Sequence, residues 1–425
     1  MKSTYIRVSL FMFSLVNGQF LPTAEAQDKA PIVLKELKSP TGPGAREPRL
    51  FASPDGKIFM SWTEPVGRDR FAVRFAVGTA QGWSEARTVT AANDLFLNWA
   101  DFPSITAFKD GTLAAHWLRK NDDKSYGYDV NIAVSKDGGN SWSQPIVPHR
   151  DGTRKQHGFV SLLPLPDMRL FMIWLDGRAH SGTESFAAGK DTTHDAMQLR
   201  FATVGKDGAL SDETVLDPTT CTCCNTAAAL TSSGAVVAYR GRTKDDIRDI
   251  KVLRLDRGSW SKSVTVHDDG WKIYGCPVNG PAIDANDKHV VVAWFTAAHD
   301  KPTTNVAFSE DGGRTFGLPI RIDEGSPQGR VGIVLLPDGS AQASWLEMKG
   351  FGEALLTRRI EPNGSRGPAL TLTSTTRGRT SGFPQIVRSG DEIYFAWTQS
   401  ASQGPQGGPG AGILNIRTAV GTLRR

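Results

Sequence analysis

No hydrophobic run in this 425-residue chain reaches the ~20 residues that a membrane helix needs; the apolar stretch Val8 to Val16 falls well short of that. No segment carries the 3.6-residue apolar period of a long amphipathic helix either, which argues against helical bundles. Basic and acidic side chains nearly balance, 49 against 44 for a net charge of +5, and the Lys and Arg residues form no cluster, so nucleic acid is not an expected partner. Cysteine is scarce, with four in the chain. What is plentiful is the punctuation of short strands, 44 Gly and 24 Pro in a sequence that is 39% hydrophobic.

Those strands repeat. Seven times a short apolar strand, a tight turn and a second strand ending in an aromatic follow one another, from EPRLFASPDGKIFMSW at Trp62 through Trp117, Trp174, Tyr239, Trp294 and Trp345 to GFPQIVRSGDEIYFAW at Trp397. The aromatics stand 51 to 65 residues apart, the period at which four-stranded units repeat around an axis. The chain is therefore expected to be all-β, a β-propeller of four-stranded antiparallel blades with seven repeat units. A propeller is one cooperative ring, so a single domain is expected over 27–425. The seventh unit ends without a clear fourth strand, and the leading segment Ile32 to Leu37 is expected to supply it, which removes two exposed edges.

Lys2 and Arg7, the apolar run and Ala24-Glu25-Ala26 read together as a secretory signal peptide over 1–26. Its removal lowers the net charge from +5 to +4. A periplasmic or secreted monomer is the expectation, with no membrane span.

Each hairpin begins and ends on one face, so the residues before the first strand and after the aromatic should gather near the axis, where propellers build their sites. Ahead of the first strands stand Arg46, Asp101, His157, Cys224, Asn225, Cys276, Asn279, Arg330 and Arg379. After the aromatics stand Glu64, Arg119, Asp176, Arg178, Arg240, Arg242 and Glu347. A face of arginines and carboxylates suits a small acidic ligand or sugar acid, because a guanidinium binds a carboxylate through two hydrogen bonds. The competing reading of any one of them is a charged strand end facing water.

Two turns after third strands share a pattern, Ser135-x-Asp137-x-Gly139-x-x-Trp142 and Ser309-x-Asp311-x-Gly313-x-x-Phe316. Asp and Ser should bond the turn's backbone, Gly should supply positive φ, and the aromatic should plug between sheets, a structural task on the face opposite the axial site. The pattern resembles the Asp-box of bacterial neuraminidase repeats and places the chain near the sialidase superfamily. That resemblance implies six blades, an acidic glycan as ligand and exo-α-sialidase-like glycoside hydrolysis. It matches Arg46 and Arg240, or else Arg242, to carboxylate-binding arginines, with Arg330 as third and Asp101 as the acid/base. Sialidases use a Tyr nucleophile. In the matching segment this chain has Gly382-Phe383-Pro384, and a phenyl ring has no oxygen to attack with.

Cys221, Cys223, Cys224 and Cys276 all precede the first strands of units four and five, so they should lie together. In an exported protein they read as disulfides; the rival is a thiolate site for Cu or Zn, with His157 as a possible further ligand. The segments Cys-Thr-Cys-Cys-Asn-Thr and Gly-Cys-Pro-Val-Asn-Gly-Pro resemble a subgroup of bacterial exo-α-sialidase-like proteins. Three functions stay open at this point. The first is an acidic-glycan protein acting at the axial face. The others are a non-catalytic metal-binding or redox protein using the cysteines, and a protein-interaction scaffold.

Overall fold

The structure, a computed structural model, describes residues 32–122, 126–179, 196–205, 207–211, 213–375, 377–400 and 413–423; the expected signal peptide over 1–26 lies outside them. Seven antiparallel sheets form a propeller, one more than the resemblance implied. Blade 1 consists of Arg46–Ala52, Ile58–Gly67, Arg70–Thr79 and Arg87–Ala92. Blade 2 has Ser104–Ala107, Leu113–Lys120 and Tyr128–Ser135, with its fourth edge reduced to a bridge between Ile132 and Ile146. Blade 3 has His157–Pro164, Leu170–Asp176, Met197–Val204 and Thr214–Thr220. Blades 4, 5 and 6 begin with Ala227–Thr231, Ala282–Asn286 and Pro327–Leu335. Blade 7 has Gln385–Ser389, Glu392–Ser400 and Leu414–Leu423, and its fourth strand is Ile32–Leu37. The first strands of successive blades pack side by side around the ring.

The ring closes as the sequence suggested. Ile32 pairs opposite Leu423 and Leu37 opposite Thr418, and the side chains of Ile32, Leu34 and Leu37 are buried. The first and last described segments therefore share one sheet, and the strand Leu414–Leu423 is paired on both sides.

The repeat's tryptophans fill the space between sheets: Trp62, Trp174, Trp294 and Trp345 are wholly buried. A buried indole N–H needs an acceptor, and the chain supplies one two residues later. Nε1 of Trp62, Trp174 and Trp345 donates to Glu64, Asp176 and Glu347 at 2.7, 2.8 and 2.6 Å. The same carboxylates accept loop N–H groups, Gly42 at Glu64 and Ser326 at Glu347. Three of the charges that sequence position assigned to the axial face thus clasp the blade tops.

On the opposite face the two Ser-x-Asp-x-Gly turns have one geometry. Ser135 Oγ accepts the Gly139 N–H at 2.8 Å, and Asp137 Oδ1 accepts the N–H groups of Asn140 and Ser141 at 3.0 and 2.9 Å. Ser309 and Asp311 do the same for Gly313, Arg314 and Thr315. Trp142 meets Phe75 of blade 1 edge to face, and Phe316 packs among blade 4 and 5 side chains. The turns join neighbouring blades far from the axial mouth.

Candidate functional site at the axial mouth

Three innermost strands open with the same irregularity. The pairing register slips between Arg46 and Arg49, between Gly158 and Ser161, and between Gly329 and Gly332. Within each slip one residue takes a left-handed backbone, Glu47 with φ 61°, Phe159 with φ 52° and Arg330 with φ 52°. Such a conformation costs ~1–3 kcal/mol for a residue with a side chain, and a bulge re-aims the side chain that adopts it.

The loop ahead of blade 2 reaches across the mouth. Ala100 O accepts Asn225 Nδ2 of the blade 4 approach at 2.6 Å. Trp99 stacks on Phe383 with centroids 5.6 Å apart, and the guanidinium carbons of Arg330 and Arg379 lie 4.8 and 5.7 Å from a Trp99 ring centroid. Arg330 is fixed from below. Its Nη1 donates to Gly378 O, Ser381 Oγ and Gly382 O, and its backbone N–H donates to Asn279 Oδ1 at 2.7 Å. A β-carbon at Gly329 would collide with that Asn279 oxygen, so this position must be glycine. Trp99 is half-buried and Arg379 exposed, so an indole carrying two cations over its rings sits at the solvent boundary of the mouth.

Asp101 lies under this loop, 2% exposed. Its Oδ1 accepts the Phe159 N–H at 2.8 Å and its Oδ2 accepts the Tyr128 hydroxyl at 3.0 Å. Gly158 makes room for it, since a β-carbon there would strike Asp101 Oδ2. Burial pushes the Asp101 carboxyl up to about 7 against those two stabilising bonds. Glu47 in blade 1 is also pushed to about 7, chiefly by burial, opposed by a hydrogen bond from Thr63 and the charge of Arg46, with Asp101 adding a smaller upward push. Two carboxyls near neutrality therefore sit at adjacent blade mouths.

The three arginines matched by resemblance do not converge. Arg46 lies over the Phe71 ring at 5.0 Å, because the bulge turns Glu47 inward instead. Arg240 is buried, stacks on Trp271, and gives its donors to the carbonyls of Asn279, Arg248 and Phe295. Arg242 is buried against Asp246, its Nε donating at 2.8 Å. Arg330 alone reaches the mouth, beside Asp101's loop. Tyr274 is 63% exposed, with the Lys272 ammonium over its ring.

The structure also separates His157 from the cysteines. Its ring stacks on His149 at 3.6 Å and faces Asp129, Asp151 and Asp176, with Arg178 and Glu213 completing the cluster. Donors already occupy much of this cluster: Val130 N–H meets His149 Nε2, and Arg178 binds both oxygens of Asp176. The cluster reads as a buried polar network in which the carboxylates of Asp129, Asp176 and Asp151 raise the His157 pKa against the effect of burial. The four cysteines are free thiols gathered at the approaches to blades 4 and 5, with Cys221 Sγ 3.3 Å from Cys224 Sγ and 3.9 Å from Cys223 Sγ.

No protein-family model matches the chain. No curated protein matches it either. Solved structures do resemble it. The NanB sialidase from Streptococcus pneumoniae has a TM-score of 0.46 at 10% identity, over 92% of this chain and 94% of that one. The endosialidase of phage phi92 has a TM-score of 0.49 at 11% identity, over 93% of this chain and 70% of that one. An ulvan lyase bound to a GlcA(1-4)Rha3S unit has a TM-score of 0.44 at 12% identity, over 77% of this chain and 78% of that one. Among the described residues no helix is long and apolar enough to cross a membrane.

Proposed function

We propose that the axial mouth binds an acidic glycan, the sugar ring laid on Trp99 and the carboxylate held by Arg330 and Arg379. The observation that carries this is the half-buried Trp99, with the guanidiniums of Arg330 and Arg379 within 6 Å of its ring centroids. Aromatic faces take the apolar face of a sugar, and a guanidinium takes its carboxylate in a bidentate pair. A scaffold for protein partners would not need cations braced from beneath, as Arg330 is by Ser381 and two backbone carbonyls.

Binding is the activity that these residues support, without double displacement. Phe383 stands where the resemblance implies a tyrosine, and its ring packs against Trp99. The hydroxyl of Tyr128 is buried and donates to Asp101. Asp101 is then a positioning residue, two positions from Trp99, whose carboxyl anchors the loop that carries the platform.

The test is calorimetry of the full chain against uronate- and sialate-terminated oligosaccharides and neutral counterparts of the same length. The reading expects saturable binding of the acidic sugars alone; equal binding of both sets, or of neither, rejects it.

A further inference from the structure

We propose that the cluster of Cys221, Cys223 and Cys224, with Cys276 at its edge, holds one soft, thiophilic d10 metal ion, Cu(I) or Zn(II), beneath the axial mouth between the approaches to blades 4 and 5. This goes beyond glycan binding and rests on different residues.

Spacing is the first argument. The sulfurs of Cys221, Cys223 and Cys224 all lie within 4.8 Å of one another, and the two closest approaches to Cys221 are 3.3 and 3.9 Å. A disulfide would need ~2.05 Å. An ion ~2.3 Å from each sulfur spaces tetrahedral neighbours by ~3.8 Å. Cys276 lies at the edge of this trio, its Sγ 3.6 Å from Oγ1 of Thr222, the residue between Cys221 and Cys223.

Charge is the second. Arg248, wholly buried, donates Nη1 to Cys221 Sγ at 3.5 Å, and Arg240 adds its field at the same sulfur. Buried cations need compensating anions; Arg248 has part of its compensation from Asp246 Oδ1 at 3.3 Å, a carboxylate it shares with Arg242. Four thiolates with Zn(II), or three with Cu(I), carry a net charge of −2, set against the guanidiniums of Arg240 and Arg248. Asn279 N–H meets Cys224 Sγ at 3.4 Å, the kind of outer contact that orients a metal-bound thiolate.

Softness is the third. The cysteines belong to an apolar cluster that includes Phe102, Phe159 and Phe383, surroundings that disfavour hard, water-loving ions. The thiol protons leave to solvent as the ion enters.

The full chain, reduced and freed of metal without oxygen, is titrated with Zn(II) against a chromophoric chelator and separately with Cu(I) against a copper(I)-specific chelator. The expected result is one equivalent of one ion bound, with thiol reactivity falling on loading. Cys221→Ser should weaken binding by about 100-fold or more. Cys276→Ser, at the half-buried position, keeps the test informative if Cys221→Ser fails to fold. A similar loss there identifies a four-sulfur site, and retained copper binding identifies a three-sulfur one; both outcomes support the proposal. Failure of the folded, fully reduced chain to take up either ion overturns it, as does protein from an oxidising compartment with no thiols that cannot be loaded after reduction.

Discussion

Arg330 and Trp99 belong to blades 6 and 2, on opposite sides of the ring, yet the guanidinium carbon of one lies 4.8 Å from a ring centroid of the other. A contact across the axis means that the loop bearing Trp99 reaches over the mouth, where its indole meets Phe383 and the guanidiniums of Arg330 and Arg379. Arginines that sequence position would have spread around the rim are instead sorted by burial. Arg240 and Arg242 hold backbone and carboxylate partners in the interior, and Arg330 meets the ligand side.

Trp99→Ala removes the platform and the Phe383 stack. For a half-buried indole the expected loss of stability is about 1–3 kcal/mol. Denaturant titration should show that loss, and calorimetry should show at least tenfold weaker binding of an acidic oligosaccharide.

The raised carboxyls set a pH dependence. In the unfolded chain Asp101 and Glu47 titrate near 4, in the folded protein at about 7, so the folded state binds more protons between those limits. Stability should therefore fall as pH rises from about 4 to about 7 and level off above, each group contributing on the order of 3–4 kcal/mol. Melting curves from pH 4.5 to 8.5 should flatten in Asp101→Asn and Glu47→Gln, and unchanged slopes in both variants would remove the carboxyls from the account.

The stacked histidines should titrate on opposite sides of an ordinary imidazole. Burial and the neighbouring His157 charge push His149 down to about 4. His157 is raised: burial opposes its charge, but Asp129, Asp176 and Asp151 outweigh it. Its stabilising contribution is complete below the unfolded value near 6.5 and is lost as pH climbs through the raised one. Histidine-resolved NMR titration of wild type, with His149→Gln to assign the pair, reads both values directly.

Closure of the ring predicts that Leu34→Ala costs about 2–4 kcal/mol, since Leu34 is buried in the strand that completes blade 7. Chemical denaturation checks this, and a variant as stable as wild type would mean that the strand 32–37 adds little to the ring.

Periodicity made the architecture legible. The repeat marked all seven blades and even the closing strand, because buried strands cannot avoid alternation and an aromatic plug. The site was legible only in part. Asp101 and Arg330 lie on the expected face, whereas in blade 1 the resemblance points to Arg46 and a left-handed bulge at Glu47, invisible in sequence, buries the Glu47 side chain there instead. Glu64, Asp176 and Glu347 looked like rim charges, and only the indole bonds reveal them as clasps. One signal was available. Of 11 tryptophans, six end repeat hairpins and Trp83, Trp142 and Trp260 sit in the outer turns, leaving Trp99 and Trp271 unexplained by the repeat. Both lie beneath arginines, Trp99 under Arg330 and Arg379, Trp271 under Arg240.

The most direct test compares the affinity of a uronate-terminated oligosaccharide with that of its carboxyl-reduced form, in wild type and in Arg330→Ala. Recognition of the carboxylate at the mouth predicts that wild type prefers the acid by about 10- to 100-fold, the worth of one hydrogen-bonded charge pair, and that the preference largely disappears in Arg330→Ala. A wild-type protein indifferent to carboxyl reduction, or an Arg330→Ala variant that keeps the full preference, would contradict the account.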